Sequence, residues 1–158
     1  YSFSFYIPND YEWMYPKQMF FQWHGGVWGP NAYFQLKRDE FLVDILTKRH
    51  ETTTQYNLGK LDKGKWHDFV VKVKWTKKQN GYMTVYLKGK SLFDYRGPTM
   101  DQETYAKGRG PHVKFGIYRS HLFRWAESRN RPTHILYFDE YRHGYSYDDV
   151  AIEKNRGD

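Results

Sequence analysis

Two short runs hold the side chains in this sequence that could do chemistry together. The first is Phe20-Phe21-Gln22-Trp23-His24, and the second is His112-Val113-Lys114-Phe115-Gly116-Ile117-Tyr118-Arg119. Both read as β-strands, rich in aromatic residues, and the first is followed by the turn signal Gly25-Gly26. Side chains alternate across a strand. Phe20, Gln22 and His24 are therefore expected on one face, and Met19, Phe21 and Trp23 on the other, which is wholly apolar and belongs in a core. In the second run Lys114 and Tyr118 flank Gly116 on one face, while Val113, Phe115 and Ile117 share the other. Glycine at that position leaves room for something to lie against the sheet. If the two runs are neighbouring strands, Gln22, His24, Lys114 and Tyr118 converge on one strip.

Amide, imidazole, ammonium and phenol suit β-elimination on a uronic acid polymer. The C5 proton of a uronate is α to a carboxylate and only weakly acidic. An amide or a cation that neutralises the carboxylate makes the carbanion attainable. Histidine or an ionised tyrosine can take the proton, and a phenol can protonate the departing O4. The chemistry calls for no cofactor.

The elements that must position these residues are strands. Runs at 1–7, 18–24, 32–37, 40–47, 53–58, 65–75, 82–88, 91–95, 112–119 and 134–143 are each bounded by turn signals, such as Gln79-Asn80-Gly81 and Lys88-Gly89-Lys90. The stretches 96–111 and 120–133 read as loops and 146–158 as a polar tail, with no amphipathic helix. Ten short strands in 158 residues predict an all-β, antiparallel two-sheet jelly roll in a single domain spanning 1–158, with a concave sheet as the working face.

Composition agrees with this. Aromatics make up 20% of the chain, with 15 Tyr and 6 Trp, more than a core easily holds, so some are expected on a ligand-binding surface. There is no cysteine, hence no disulfide framework and no thiolate metal site. No apolar run approaches membrane-spanning length. A net charge of +7 favours a polyanionic partner. A nucleic acid fits less well than an acidic polysaccharide, because the sequence carries no recognised nucleic-acid motif and its charges are scattered.

At the level of motifs, Gln22-Trp23-His24 resembles the Gln-x-His motif of jelly-roll polysaccharide lyases, and Lys114 to Tyr118 resembles their Lys-x-Gly-x-Tyr motif. The segment Gly64-Lys65-Trp66-His67-Asp68-Phe69 and its continuation to Lys90 is similar to the Trp-His-Asp hairpin of the glucuronan lyase and heparin lyase I type group, and Tyr137-Phe138-Asp139-Glu140-Tyr141-Arg142 to that group's closing strand. The resemblance implies a lyase acting on uronate polymers outside the cell or in the periplasm. It implies Gln22 as carboxylate neutraliser, Tyr118 as acid and also base, and His24 as base by analogy with alginate lyases. It also implies a structural calcium ion away from the chemistry, for which Asp139 is the candidate ligand. Lys114, Arg119, Tyr33, Gln35 and Trp28 are expected to contact the substrate.

Each of these residues also has a plainer reading, as polar surface or, for Tyr118, as the edge of a core. A non-catalytic jelly roll that holds an acidic glycan is the alternative function. The run Tyr1–Ile7 starts in full alternation with no cap or turn before it. Strands preceding Tyr1, or a strand from a neighbouring subunit, are therefore expected to complete an otherwise open sheet edge.

Overall fold

A computed structural model describes residues 1–13, 17–25, 29–48, 54–108, 110–119 and 132–155. Ten strands follow in chain order: β1 (Ser2–Ile7), β2 (Gln18–His24), β3 (Pro30–Lys37), β4 (Glu40–Ile45), β5 (Thr54–Lys60), β6 (Lys65–Lys74), β7 (Tyr82–Leu87), β8 (Lys90–Arg96), β9 (His112–Arg119) and β10 (Tyr137–Arg142). Two short helices join them, α1 (Gln102–Ala106) between β8 and β9 and α2 (Ile152–Asn155) after β10. Both lie in stretches whose composition reads as loop or tail. Helix α1 exists because Asp101 caps it, its carboxylate accepting the Thr104 N–H.

The strands form two five-stranded antiparallel sheets, ordered β10-β1-β6-β7-β8 and β5-β4-β3-β2-β9. This is a jelly-roll sandwich. Strand β1, which opens the chain, is paired on both sides, so the sheet edges fall at β10, β8, β5 and β9.

Aromatic side chains meet between the sheets. Phe3 of β1 stacks on Phe21 of β2 with ring centroids 4.0 Å apart, and Phe5 stacks on Phe20 at 4.2 Å. Both Phe20 and Phe21 are thus buried, which simple alternation forbids. The explanation is an irregularity in β2: Met19 pairs with Gln35 and Phe21 with Phe34, so Phe20 has no partner on β3. Opposite it on β9, Gly116 and Ile117 face Phe20 alone, a β-bulge, and Gly116 takes φ +126 there, a conformation L side chains rarely adopt. The expected positions of Phe20 and Met19 are therefore exchanged. Phe20 enters the core, and Met19 turns to the outer face opposite Gln35. Each aromatic pair contributes about 0.5–1.5 kcal/mol beyond its buried area, which offsets the irregular ladder.

Phe115 and Ile117 were expected in the core, but β9 is an edge strand and they remain 54% and 36% exposed. Phe115 does face inward, touching Phe21, Phe138 and Tyr141, yet the neighbouring edge strand β10 covers it only in part.

Two buried histidines fasten loops to this frame. His67 bonds the Asp62 carbonyl at 2.8 Å. His134 bonds the Glu12 carbonyl at 2.8 Å through Nε2 and Gln18 Nε2 at 2.6 Å through Nδ1. Burial is the main cause that pushes both imidazoles below the ordinary value of 6.5. As pH falls below that value the unfolded chain binds protons that the fold resists, so stability is complete above 6.5 and declines towards the lowered folded-state values. Thermal melts should show a drop in Tm between pH 7.5 and pH 5, and His134→Gln should reduce that drop. A His134→Gln variant with the wild-type pH slope would remove His134 from this account.

Candidate active site

The outer face of the second sheet carries polar side chains in register. The central row runs across all five strands: Lys114 of β9 opposite Gln22 of β2, Gln22 opposite Tyr33 of β3, Tyr33 opposite Asp44 of β4, and Asp44 opposite Gln55 of β5. Beside it His24 faces His112, with ring centroids 5.5 Å apart. On the other side Tyr118 faces Met19, which faces Gln35. At about 3.3 Å per residue, Gln22 lies roughly 7 Å from His24 and roughly 10 Å from the Tyr118 row along the strand. Gln22 and Lys114 therefore sit between imidazole and phenol, and the strip expected from alternation forms despite the bulge. Trp23 and Phe21 lie beneath it in the core.

Burial lowers the His24 pKa below the ordinary 6.5, and the neighbouring Lys114, His112 and Lys107 lower it further, which favours the neutral imidazole. Its Nδ1 is buried without a hydrogen-bond partner among the described residues. The end of β2 is held by close packing: a Cβ on Gly25 would lie 2.2 Å from both Asn31 Oδ1 and Thr104 Oγ1. Asn31 donates to Asp101 at 2.6 Å, so α1, and with it Lys107, is clasped against this end of the site. Tyr118 is 55% exposed, and the space a Cβ on Gly116 would enter is open.

Of the other expected site residues, two lie in the rows of the strip but are buried, and two lie off it. Tyr33 and Gln35 are 3% and 1% exposed. Arg119 pairs with Gln18, whose buried amide meets His134, and donates to the Pro132 carbonyl at 2.9 Å, which ties it away from the strip. Asp139 lies on β10 of the other sheet, and its Oδ1 accepts the Glu140 N–H at 2.8 Å while Glu140 pairs with Arg142. Among the described residues no cluster of three His, Cys, Asp or Glu that could hold a metal ion occurs. Trp28 lies outside the described residues.

Lys17, Asp44, Gln55 and His112 were not singled out from the sequence. Asp44 carried a signal, a lone acid in the apolar run Phe41-Leu42-Val43-Asp44-Ile45, because a carboxylate there must be buried and partnered. His112 shares parity with Lys114 and Tyr118, which also marks it.

Fold and strip together define a jelly-roll sandwich with an amide, an ammonium, two imidazoles and a phenol on its outer face. The family model described as polysaccharide lyase matches residues 1–142, and the chain belongs to that family. Among solved structures, the endo-beta-1,4-glucuronan lyase from the fungus Trichoderma reesei is similar, with a TM-score of 0.73 at 16% identity, over 94% of this chain and 68% of that one. No curated protein matches the chain. Among the described residues no helix is long and apolar enough to cross a membrane.

Proposed function

We propose that this chain cleaves a uronic-acid-containing polysaccharide by β-elimination, outside the cell or in the periplasm. The observation that carries the reading is the register of Gln22 opposite Lys114, with neutral His24 two residues along. Gln22 and Lys114 take the substrate carboxylate and hold the charge that builds on it as the C5 proton leaves. His24 accepts that proton, and Tyr118, on the far side of Gln22, protonates the departing O4. These side chains supply every proton and charge the elimination moves, so the reading requires no cofactor. The similar solved structure is an endo-beta-1,4-glucuronan lyase, which makes a β-1,4-glucuronate polymer the first substrate to try.

Elimination creates a conjugated double bond, so incubation with polyglucuronate and polymannuronate should raise ultraviolet absorbance. Binding without any rise would leave a glycan-binding module. The acid side of the pH profile should follow His24: activity rises with pH as the imidazole loses its proton, below the ordinary 6.5. Lys114 is one of the cations depressing that value. Lys114→Met should therefore move the acid limb to higher pH, besides weakening turnover. An unmoved limb would show that His24 is not the group titrating.

A further inference from the structure

Lys17 lies just before β2 and belongs to neither motif. Its Nζ donates to the Tyr33 hydroxyl at 3.0 Å and lies 4.9 Å from that ring's centre. Tyr33 is the residue directly opposite Gln22. Across the ladder Tyr33 faces Asp44 of β4. Asp44 is fully buried, with Oδ1 accepting from Gln55 at 2.7 Å and Oδ2 accepting from Gln35. The carboxylate thus accepts from two neutral amides, and it acts on the Lys17 ammonium by its charge. An ammonium carries three donors. The bond to Tyr33 uses one, and among the described residues no other hydrogen bond takes up the rest, which leaves donors for an anion arriving at the surface.

Lys17 is half-buried, and a cation kept there needs a balancing charge within a few ångströms. Asp44 supplies it from below, and Lys37 at the end of β3 opposes it. Lys17 stands on the β3 side of Gln22, as Lys114 stands on the β9 side. Two ammoniums therefore flank the amide across the strands. Adjacent strands are about 4.8 Å apart, so the flanking positions span roughly 10 Å, room for neighbouring sugars of one chain.

We propose that Lys17, held on Tyr33 above buried Asp44, is a substrate contact that takes the carboxylate of the sugar next to the one seated on Gln22 and Lys114, so that the polymer crosses the strands of the second sheet. The inference rests on the reading of this face as a uronate-binding site, but it concerns binding and needs no turnover. Tyr33, Gln35, Gln55 and Asp44 are positioning residues that act through Lys17. Burial lowers the Lys17 pKa, Asp44 restores part of it and Lys37 lowers it again. Polymer affinity should accordingly fall at alkaline pH as Lys17 loses its proton.

The test is affinity electrophoresis of the whole chain through gels containing polyglucuronate or a neutral glucan, with each variant's cooperative melting checked first. Wild type should be retarded by the acidic polymer alone. Lys17→Met, which keeps the apolar stem, should weaken retardation about tenfold, the loss of one charge-assisted hydrogen bond. Lys74→Met, on an exposed position of the other sheet, should not change it. Lys17→Arg should retain binding and lose the alkaline decline. Asp44→Asn should move that decline to lower pH, because the charge that keeps Lys17 protonated is gone. Equal retardation of Lys17→Met and wild type, or an alkaline decline that persists in Lys17→Arg, overturns the proposal, as does a wild type that neither polymer retards. Retardation without ultraviolet product would instead defeat the lyase reading and leave the Lys17 contact standing or falling on its own variants.

Discussion

Tyr118→Phe is expected to lower turnover by about 10²–10⁴-fold while substrate binding stays near the wild-type value. The substitution deletes one hydroxyl and nothing else. Tyr118 is exposed on an edge strand and faces Met19, so its ring supports little of the core and the variant should melt like wild type. Without a proton donor the departing O4 must leave as an alkoxide or wait for water. Gly116 keeps the approach open, so a sugar ring can come near the phenol. The measurement is the rate of ultraviolet product at saturating polymer, beside electrophoretic binding of the same protein. Full activity in a correctly folded variant would exclude Tyr118 as the acid and leave that step to His24, His112 or solvent.

Gln22→Leu should be nearly as damaging, with kcat reduced by about 10²–10³-fold, the usual cost of removing one preorganised donor to a developing oxyanion. Leucine keeps the approximate volume of glutamine, so Trp23 and Phe21 beneath it need not repack. Lys114 remains directly opposite and can still attract the carboxylate. Ground-state binding should therefore fall less than kcat, because charge on the carboxylate grows as the proton leaves. Gln22→Leu and Lys114→Met together should cost less than the product of the separate losses, since both groups serve one carboxylate. If Gln22→Leu changed binding alone and left kcat intact, the amide would be an ordinary substrate contact and the carbanion would be stabilised elsewhere.

Much of this was legible along the chain. Ten strands were expected and ten are present among the described residues, most with ends within a residue or two, because period-two alternation and turn residues are local signals that the backbone obeys directly. Gln22, His24, Lys114 and Tyr118 share one outer face, as strand parity requires for each run taken alone. The polysaccharide lyase family, too, was expected from the sequence and is the one whose model matches.

What the tertiary structure decided is which strands pair, in what register and under what cover. Alternation alone puts Phe20 outside and Met19 inside. The stacking of Phe20 on Phe5 and Phe21 on Phe3 draws both phenylalanines inward, and the chain accommodates them with a bulge that only Gly116 tolerates readily. Phe115 and Ile117 stay partly exposed because β9 lies at an edge, and edge position is a property of sheet order, not of any one strand. Tyr33 and Gln35 have the parity of surface residues but are buried against Lys17 and Asp44, contacts made with residues 9 and 16 positions away. Arg119 follows Tyr118 and so has the opposite parity to the strip, and it donates to the Pro132 carbonyl. Local sequence determined which residues form strands and which face each prefers. Long-range packing of aromatic rings and the burial of one carboxylate determined which of those faces meets solvent, since both depend on partners the chain brings together only on folding.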